Sequence, residues 1–211
     1  MKKTKTSLTK DEKELIAAEL QAKYDFVGDF NASNKGYGIF DYCITRYANG
    51  EICDIKYGIY NSATKLLGPC VYNFIKSFEE GGIARAKRNF KWGWINVDSE
   101  EIIPCKYSVA CDMENGYAAI KENENDTWGL VSMTGKVVVP CNKYESLSMF
   151  KNGYACVKLN NLWGFVNEDG EEVIPCQYAD VKYFTKKGLA KVKPLRGDWI
   201  TIDKTGKQVT E

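Results

Sequence analysis

The stretch WGLVSMTGKVVVPC, residues 128–141, decides the fold. It opens on an aromatic-glycine pair, runs through two short apolar segments separated by Met133-Thr134-Gly135-Lys136, and closes on Pro140-Cys141. Short β-branched segments on either side of a glycine turn are a β-hairpin signal, with glycine supplying the positive φ that a tight turn needs. The closing dipeptide recurs as Pro69-Cys70, Pro104-Cys105 and Pro175-Cys176, at spacings of 35, 36 and 35 residues. The opening pair keeps the same beat as Tyr57-Gly58, Trp92-Gly93, Trp128-Gly129 and Trp163-Gly164, then Trp199 with Ile200 in the glycine's place. A fixed period of this length is an internal repeat, and five units are visible, the last cut short.

Each unit offers about three strands, one before the tryptophan, one carrying it and one ending in Pro-Cys, as the spacing of turn signals implies. Proline is expected to end the third strand because it has no N–H for the ladder. In the strand after the phenylalanine loop, Ala84/Ala86, Ala118/Ile120, Ala155/Val157 and Ala190/Val192 alternate with Arg85, Ala119, Cys156 and Lys191, so the first set faces the core. The small alanine is expected to leave room for the indole of the neighbouring strand, which makes the recurring tryptophan a core residue whose removal costs about 3–5 kcal/mol.

These motifs carry a resemblance. Lys-Trp-Gly-aromatic-Ile-Asn at 91–96, a Thr-Gly-Lys or Asp-Gly-Glu turn, Val-Ile-Pro, a following Tyr and Gly-Leu-Ala-Lys-Val at 188–192 resemble the bacterial WG β-repeat family over residues 57 to 211. Tyr57 stands where tryptophan is usual, Ile200 where glycine is usual, and cysteine follows each proline where the family often has a second proline. The resemblance implies an all-β repeat scaffold without known general catalytic chemistry. The fold class expected is all-β, with three-stranded repeats in an open solenoid-like or propeller-like array and a short N-terminal α-helix.

Residues 1–23 read as a tail and capping helix. Thr9 with Glu12 forms a capping box, and Leu15, Ile16 and Leu20 give an apolar stripe, so a helix over about 9–23 follows. Residues 24–56 read as a degenerate first repeat or cap, with Tyr37-Gly38 and an Asn49-Gly50 hairpin. Residues 57–211 form the repeat array. Within the cap, Tyr37, Tyr42, Arg46 and Tyr47 are candidate partner-binding residues. A second candidate strip is Arg85, Arg88 and Trp94. Ile59, Leu130, Phe165 and Thr201 stand at the places equivalent to Trp94, so this ring is peculiar to one unit and is expected to be exposed beside its arginines, the composition of a protein-binding hot spot.

The rest of the composition mainly excludes. With 29 basic against 28 acidic groups the chain lacks the concentrated positive field that nucleic acid or an anionic membrane requires. No apolar run approaches the ~18 residues of a membrane helix and no secretory leader is legible, so a cytoplasmic location with reduced thiols is expected. The chain has no histidine, so a papain-like thiol nucleophile lacks its base. Eight cysteines without a C-x-x-C pair argue against zinc, and Pro-Cys positions three strands apart sit roughly 14 Å from one another, beyond the ~7 Å limit for a disulfide. Glu100-Glu101 and Glu171-Glu172 lie at hairpin turns and read as solvated surface rather than an acid/base pair. The function expected is a non-enzymatic scaffold, without cofactor or metal, that binds another protein and in one form neutralises it. The alternative is a carbohydrate-binding module using exposed aromatic rings.

Overall fold

The computed structural model describes residues 8–21, 31–32, 39–48, 51–78 and 81–209, with side chains for 8–19, 55–78 and 81–209. Two compact units divide the chain, Met1–Lys106 and Tyr107–Glu211. The first opens with helix α1, Lys10–Gln21. The capping box forms: the Glu12 amide donates to Thr9 Oγ1 at 3.3 Å while the Thr9 amide donates to Glu12 Oε2 at 3.0 Å. Of the apolar stripe, Ile16 is buried but Leu15 is exposed. An ion pair of 2.6 Å from Lys65 Nζ to Glu12 Oε1 fastens the helix start to the first sheet's loop.

That unit holds two antiparallel sheets, β1–β4 (Asn31–Ala32, Ile39–Ala48, Glu51–Asn61, Leu66–Leu67) and β5–β8 (Phe74–Ile75, Ile83–Arg88, Lys91–Asn96, Glu101–Tyr107). The second unit holds β9–β12 (Val109–Ala110, Tyr117–Lys121, Gly129–Ser132, Val137–Val139), β13–β16 (Ser146–Leu147, Tyr154–Leu159, Leu162–Asn167, Glu172–Tyr178) and β17–β19 (Asp180–Val181, Ala190–Lys193, Ile200–Ile202). In every sheet the strands neighbour one another in sequence order, so one repeat period builds one meander. The all-β tandem architecture with its N-terminal helix is the one the period predicts. A two-residue outer strand joins the three expected.

The hairpin turns form where expected. Gly135 and Gly170 take φ values of 85° and 86°, and Ser99 stands at the same offset with φ 65°, the left-handed region that a β-carbon disfavours. Side chains lock these turns: Asn167 Oδ1 accepts the Asp169 and Glu171 amides at 3.1 and 2.9 Å, and Asn96 Oδ1 does the same for Asp98 and Glu100. The Asn49-Gly50 turn lies outside the described residues, although the strands on its two sides pair.

A different constraint explains the aromatic-glycine pair. Across β15 and β16 the register jumps from Trp163 opposite Tyr178 to Phe165 opposite Ile174, so the segment around Pro175-Cys176 bulges against Gly164. A β-carbon at Gly164 would stand 2.4 Å from Ile174 O and 2.7 Å from Cys176 N; Gly93 meets Ile103 O and Cys105 N at the same distances. Both partners are backbone and cannot swing aside, so the position admits only glycine. Over it reaches the thiol: Cys176 Sγ lies 3.6 Å from Val157 O and Cys105 Sγ 3.7 Å from Ala86 O, the residues paired with Gly164 and Gly93. Glycine and Pro-Cys therefore recur together because they are the two sides of one bulge. The expectation that proline ends the strand holds for β12, which stops at Val139 before Pro140, but is corrected for β8 and β16, which run through Pro104 and Pro175, tolerated because a bulge leaves one N–H unpaired.

The core lies between successive sheets of a unit. In the second unit one cluster joins Leu130, Val138 and Val139 to Ala155, Val157 and Val166 of the next sheet. A further cluster joins Cys156, Phe165 and Ile174 to Phe184, Ala190, Val192 and Ile202. Sheet β13–β16 is thus covered on both faces, and β14 reads as a continuous apolar run for that reason. In the first unit Ile59 packs with Ala84, Ala86 and Ile95 in the same way. The alanines do face the core, but they stand opposite Gly93 and Ile95, while Lys87 stands opposite Trp92.

Candidate functional site

The recurring tryptophans are not in the core. Trp92, Trp128 and Trp163 are half-buried at the sheet rim, and Trp199 is 38% exposed. Each carries a cation over its ring: Arg85 at 4.7 Å and Lys87 at 5.1 Å on Trp92, Lys121 at 4.9 Å on Trp128, Lys158 at 5.9 Å on Trp163, and Lys182 at 5.2 Å on Trp199. Lys87 and Lys158 stand directly across the ladder from their tryptophans. At these two indoles a cross-strand lysine stem covers the ring and leaves its ammonium in water, whereas Trp199 is covered by Lys182, which follows β17. The recurring rings that do fill the interior are tyrosines after Pro-Cys, Tyr72, Tyr107, Tyr144 and Tyr178, and loop phenylalanines Phe78, Phe150 and Phe184, all buried. Their common spacing was the signal that could have found them.

Trp94 is the reverse case. It is 2% exposed, among the largest fully buried side chains, so the expectation of an exposed ring is corrected. Ile59, Leu130 and Phe165 at the equivalent positions are buried as well, and Trp94 fills the same strand position with a larger residue. Arg85 stands opposite Trp94 in the ladder but turns its guanidinium over Trp92. Arg88 pairs with Glu101, Nη2 to Oε1 at 2.9 Å. The three residues expected as one surface strip are therefore split among the core, the rim and an ion pair. Of the second group, Tyr42, Arg46 and Tyr47 lie on β2 opposite Gly58, Asp54 and Ile52, with side chains outside the described residues, and Tyr37 lies outside them entirely.

The thiols of Cys105, Cys156 and Cys176 are held in their neutral form. Burial, the largest cause, pushes Cys105, Cys156 and Cys176 up to about 11, and nearby carboxylates add to it, Glu101 beside Cys105 and Glu172 beside Cys176. Burial likewise pushes Tyr72 and Tyr107 up to about 12. Tyr144 donates its hydroxyl to Glu172 Oε2 at 3.1 Å, which with burial raises it further. A thiol with a raised pKa is a poor nucleophile near neutrality, and each of these is already committed to packing or to a backbone bond.

Sheets of one meander each, a glycine forced by a Pro-Cys bulge and a cation-capped rim indole together define a tandem β-repeat protein. The chain belongs to the WG containing repeat family, whose pattern matches residues 57–91, 92–125, 128–163 and 163–199. No match is found among curated proteins by sequence. Among solved structures, Hsv2p of Kluyveromyces lactis aligns with TM-score 0.39 and 12% identity over 87% of this chain and 62% of its own length. The extracellular domain of a one-component system of B. thetaiotaomicron aligns with TM-score 0.32 and 10% identity over 81% of this chain and 27% of that one. The chain thus spans less than two thirds of either structure, and likeness at this level carries no function across.

Proposed function

We propose that this WG-repeat chain is a non-enzymatic scaffold that binds another protein, acting in the cytoplasm. The observation that carries the reading is the commitment of the recurring chemical groups to structure. The Pro-Cys thiols of Cys105, Cys141 and Cys176 reach backbone carbonyls across the bulge, the tyrosines are buried, and the tryptophans are stacked under their own cations. Loops and exposed positions also vary from unit to unit, and there a rigid framework presents binding residues. Neutralisation of the bound protein is one use such a scaffold suits. Quantitative pull-down from native lysate with the immobilised chain tests the reading: saturable retention of a defined protein is expected, and turnover of a substrate in an activity panel with no retained protein would sink it.

A second reading, carbohydrate binding, is favoured by the rim indoles, because partly exposed tryptophans are the rings on which sugars stack. Against it stands the lysine or arginine already seated over each ring. A glycan array separates the two, since binding there that is lost in Trp128→Ala and Trp199→Ala belongs only to the carbohydrate reading.

A further inference from the structure

Sheets β9–β12 and β13–β16 each turn one face, the face carrying Leu130 or Phe165, onto the sheet that follows. On β17–β19 the corresponding positions hold Thr201 and Lys191, which pair across the ladder as Phe165 and Cys156 do in the preceding sheet. A recess of about 630 Å³ lies on this part of the last sheet, with Tyr183, Leu189 and Ala190 among its walls and Lys182, Lys186, Lys187 and Lys191 around it. Among the described residues no carboxylate lines it, and none of the four lysines makes an ion pair with one. Lys186, Lys187 and Lys191 are exposed, while Leu189 is half-buried and Tyr183 is 44% exposed.

The charge around this recess is not that of the molecule. Residues 182–207 contain eight lysines and arginines against two aspartates, a net +6 in a chain of net +1, so the remaining residues carry −5. We propose that this recess docks a short acidic segment of a partner protein, with carboxylates facing the lysines and one apolar side chain against Leu189 and Tyr183. The proposal rests on the protein-binding reading above and gives the partner its chemistry. A recess of this volume is the size of a side-chain or small-ligand site rather than a track. At physiological salt charges are felt over only ~8 Å, so a short acidic segment meets the local field alone. A long polyanion such as RNA would also run over the negative remainder of the chain, and the recess presents no arginine to fork a phosphate.

The test is fluorescence anisotropy with the full chain and a fluorescein-labelled peptide of alternating glutamate and aspartate around a central leucine. Saturable binding that weakens with added salt is expected, and K186E/K187E/K191E should lose at least about tenfold in affinity at unchanged melting temperature, as removal of a local field does. Lys13→Glu, the same kind of charge change on the helix, should bind as the unaltered chain does. Absence of saturable binding, indifference to the triple substitution, an equal loss in Lys13→Glu, or tighter binding of a single-stranded oligothymidylate of the same length would each overturn the proposal. Lysate pull-down keeps the two failures apart. If the unaltered chain and the triple variant retain the same protein equally, the scaffold stands and this recess is not its docking site. If neither retains any protein, the scaffold reading itself falls, and this docking site with it.

Discussion

At the rim of the last four sheets one residue type recurs, Trp92, Trp128, Trp163 and Trp199, yet its ring stays partly in water under a cation. Two residues further along the same strand stand Trp94, Leu130 and Phe165, unlike one another and sealed. Recurrence and burial have separate causes here. A buried position has to match only its neighbours, so an indole, an isobutyl group and a phenyl ring each serve where the facing sheet has adjusted in volume. At Trp92 and Trp163 the rim position repeats with its partners: the bulge forces glycine next to it, and the ladder brings a lysine opposite.

This comparison breaks most readily at the sealed position. Phe165→Ala empties a site shared with Phe184, whose ring centroid lies 4.8 Å away, and should cost about 3–5 kcal/mol in denaturant unfolding. A loss below about 1 kcal/mol would mean that the layer between the last two sheets closes up or is loosely filled. Gly164→Ala should come next, at about 2–3 kcal/mol, because the added methyl meets Ile174 O and Cys176 N and the bulge must open to admit it. If the alanine variant is as stable as the parent, close backbone approach is not what preserves the pair.

Period, class and turns were legible in the sequence because each depends on residues near one another in the chain. A glycine turn, an alternating strand and a capping box are all decided within a few positions. The sidedness of the rings was not legible. Trp92 and Trp94 share a strand parity, so alternation alone cannot say which of the two is sealed. Variation is not a mark of surface: Trp94 occurs in one unit alone and is sealed. The glycine at one end of the motif and the Pro-Cys at the other shared a period, and that coincidence pointed to contact, but only the paired backbone shows it to be a bulge. Tyr144 and Phe150 were in view as motif residues, and their burial follows from the loop folding back between sheets, a non-local event.

Alkaline titration probes the bulge from its other side. Cys105, Cys156 and Cys176 are raised from about 9 to about 11 in the folded chain, so the unfolded state releases those protons first. Their contribution is therefore complete below about pH 9 and is lost as pH rises toward 11. The melting temperature should hold steady from neutrality to about pH 8.5 and then fall, the thiols contributing to that fall. Tyr72 and Tyr107, pushed up to about 12, add a fall of the same sign. Comparison with Cys105→Ala/Cys176→Ala isolates the bulge thiols. A parallel pH profile in that variant would show that the sulfur above Gly93 and Gly164 is no more desolvated than it is in the unfolded chain.

The rim should give the smallest effects and the most decisive ones. Trp163 is half-buried, packs against the edge of the cluster around Phe165 and Phe184, and carries Lys158 Nζ 5.9 Å from its centroid. Removing the ring therefore forfeits only part of a full burial, and Trp163→Ala should cost about 1 kcal/mol, well below the cost at Phe165. Lys158→Ala loses an exposed cation–π contact and some covering of the indole, about 0.5 kcal/mol. Because the two groups act on one another, the double variant should fall short of the sum of the single losses by up to about 0.5 kcal/mol, a coupling that a double-mutant cycle resolves only with replicate denaturation curves. If Trp163→Ala instead costs as much as Phe165→Ala, the rim belongs to the core, and the recurring indole is explained by packing between sheets. If both rim substitutions are silent, the pair recurs for a reason other than stability. The surface it forms would then be the place to look for a ligand that displaces the lysine from the ring.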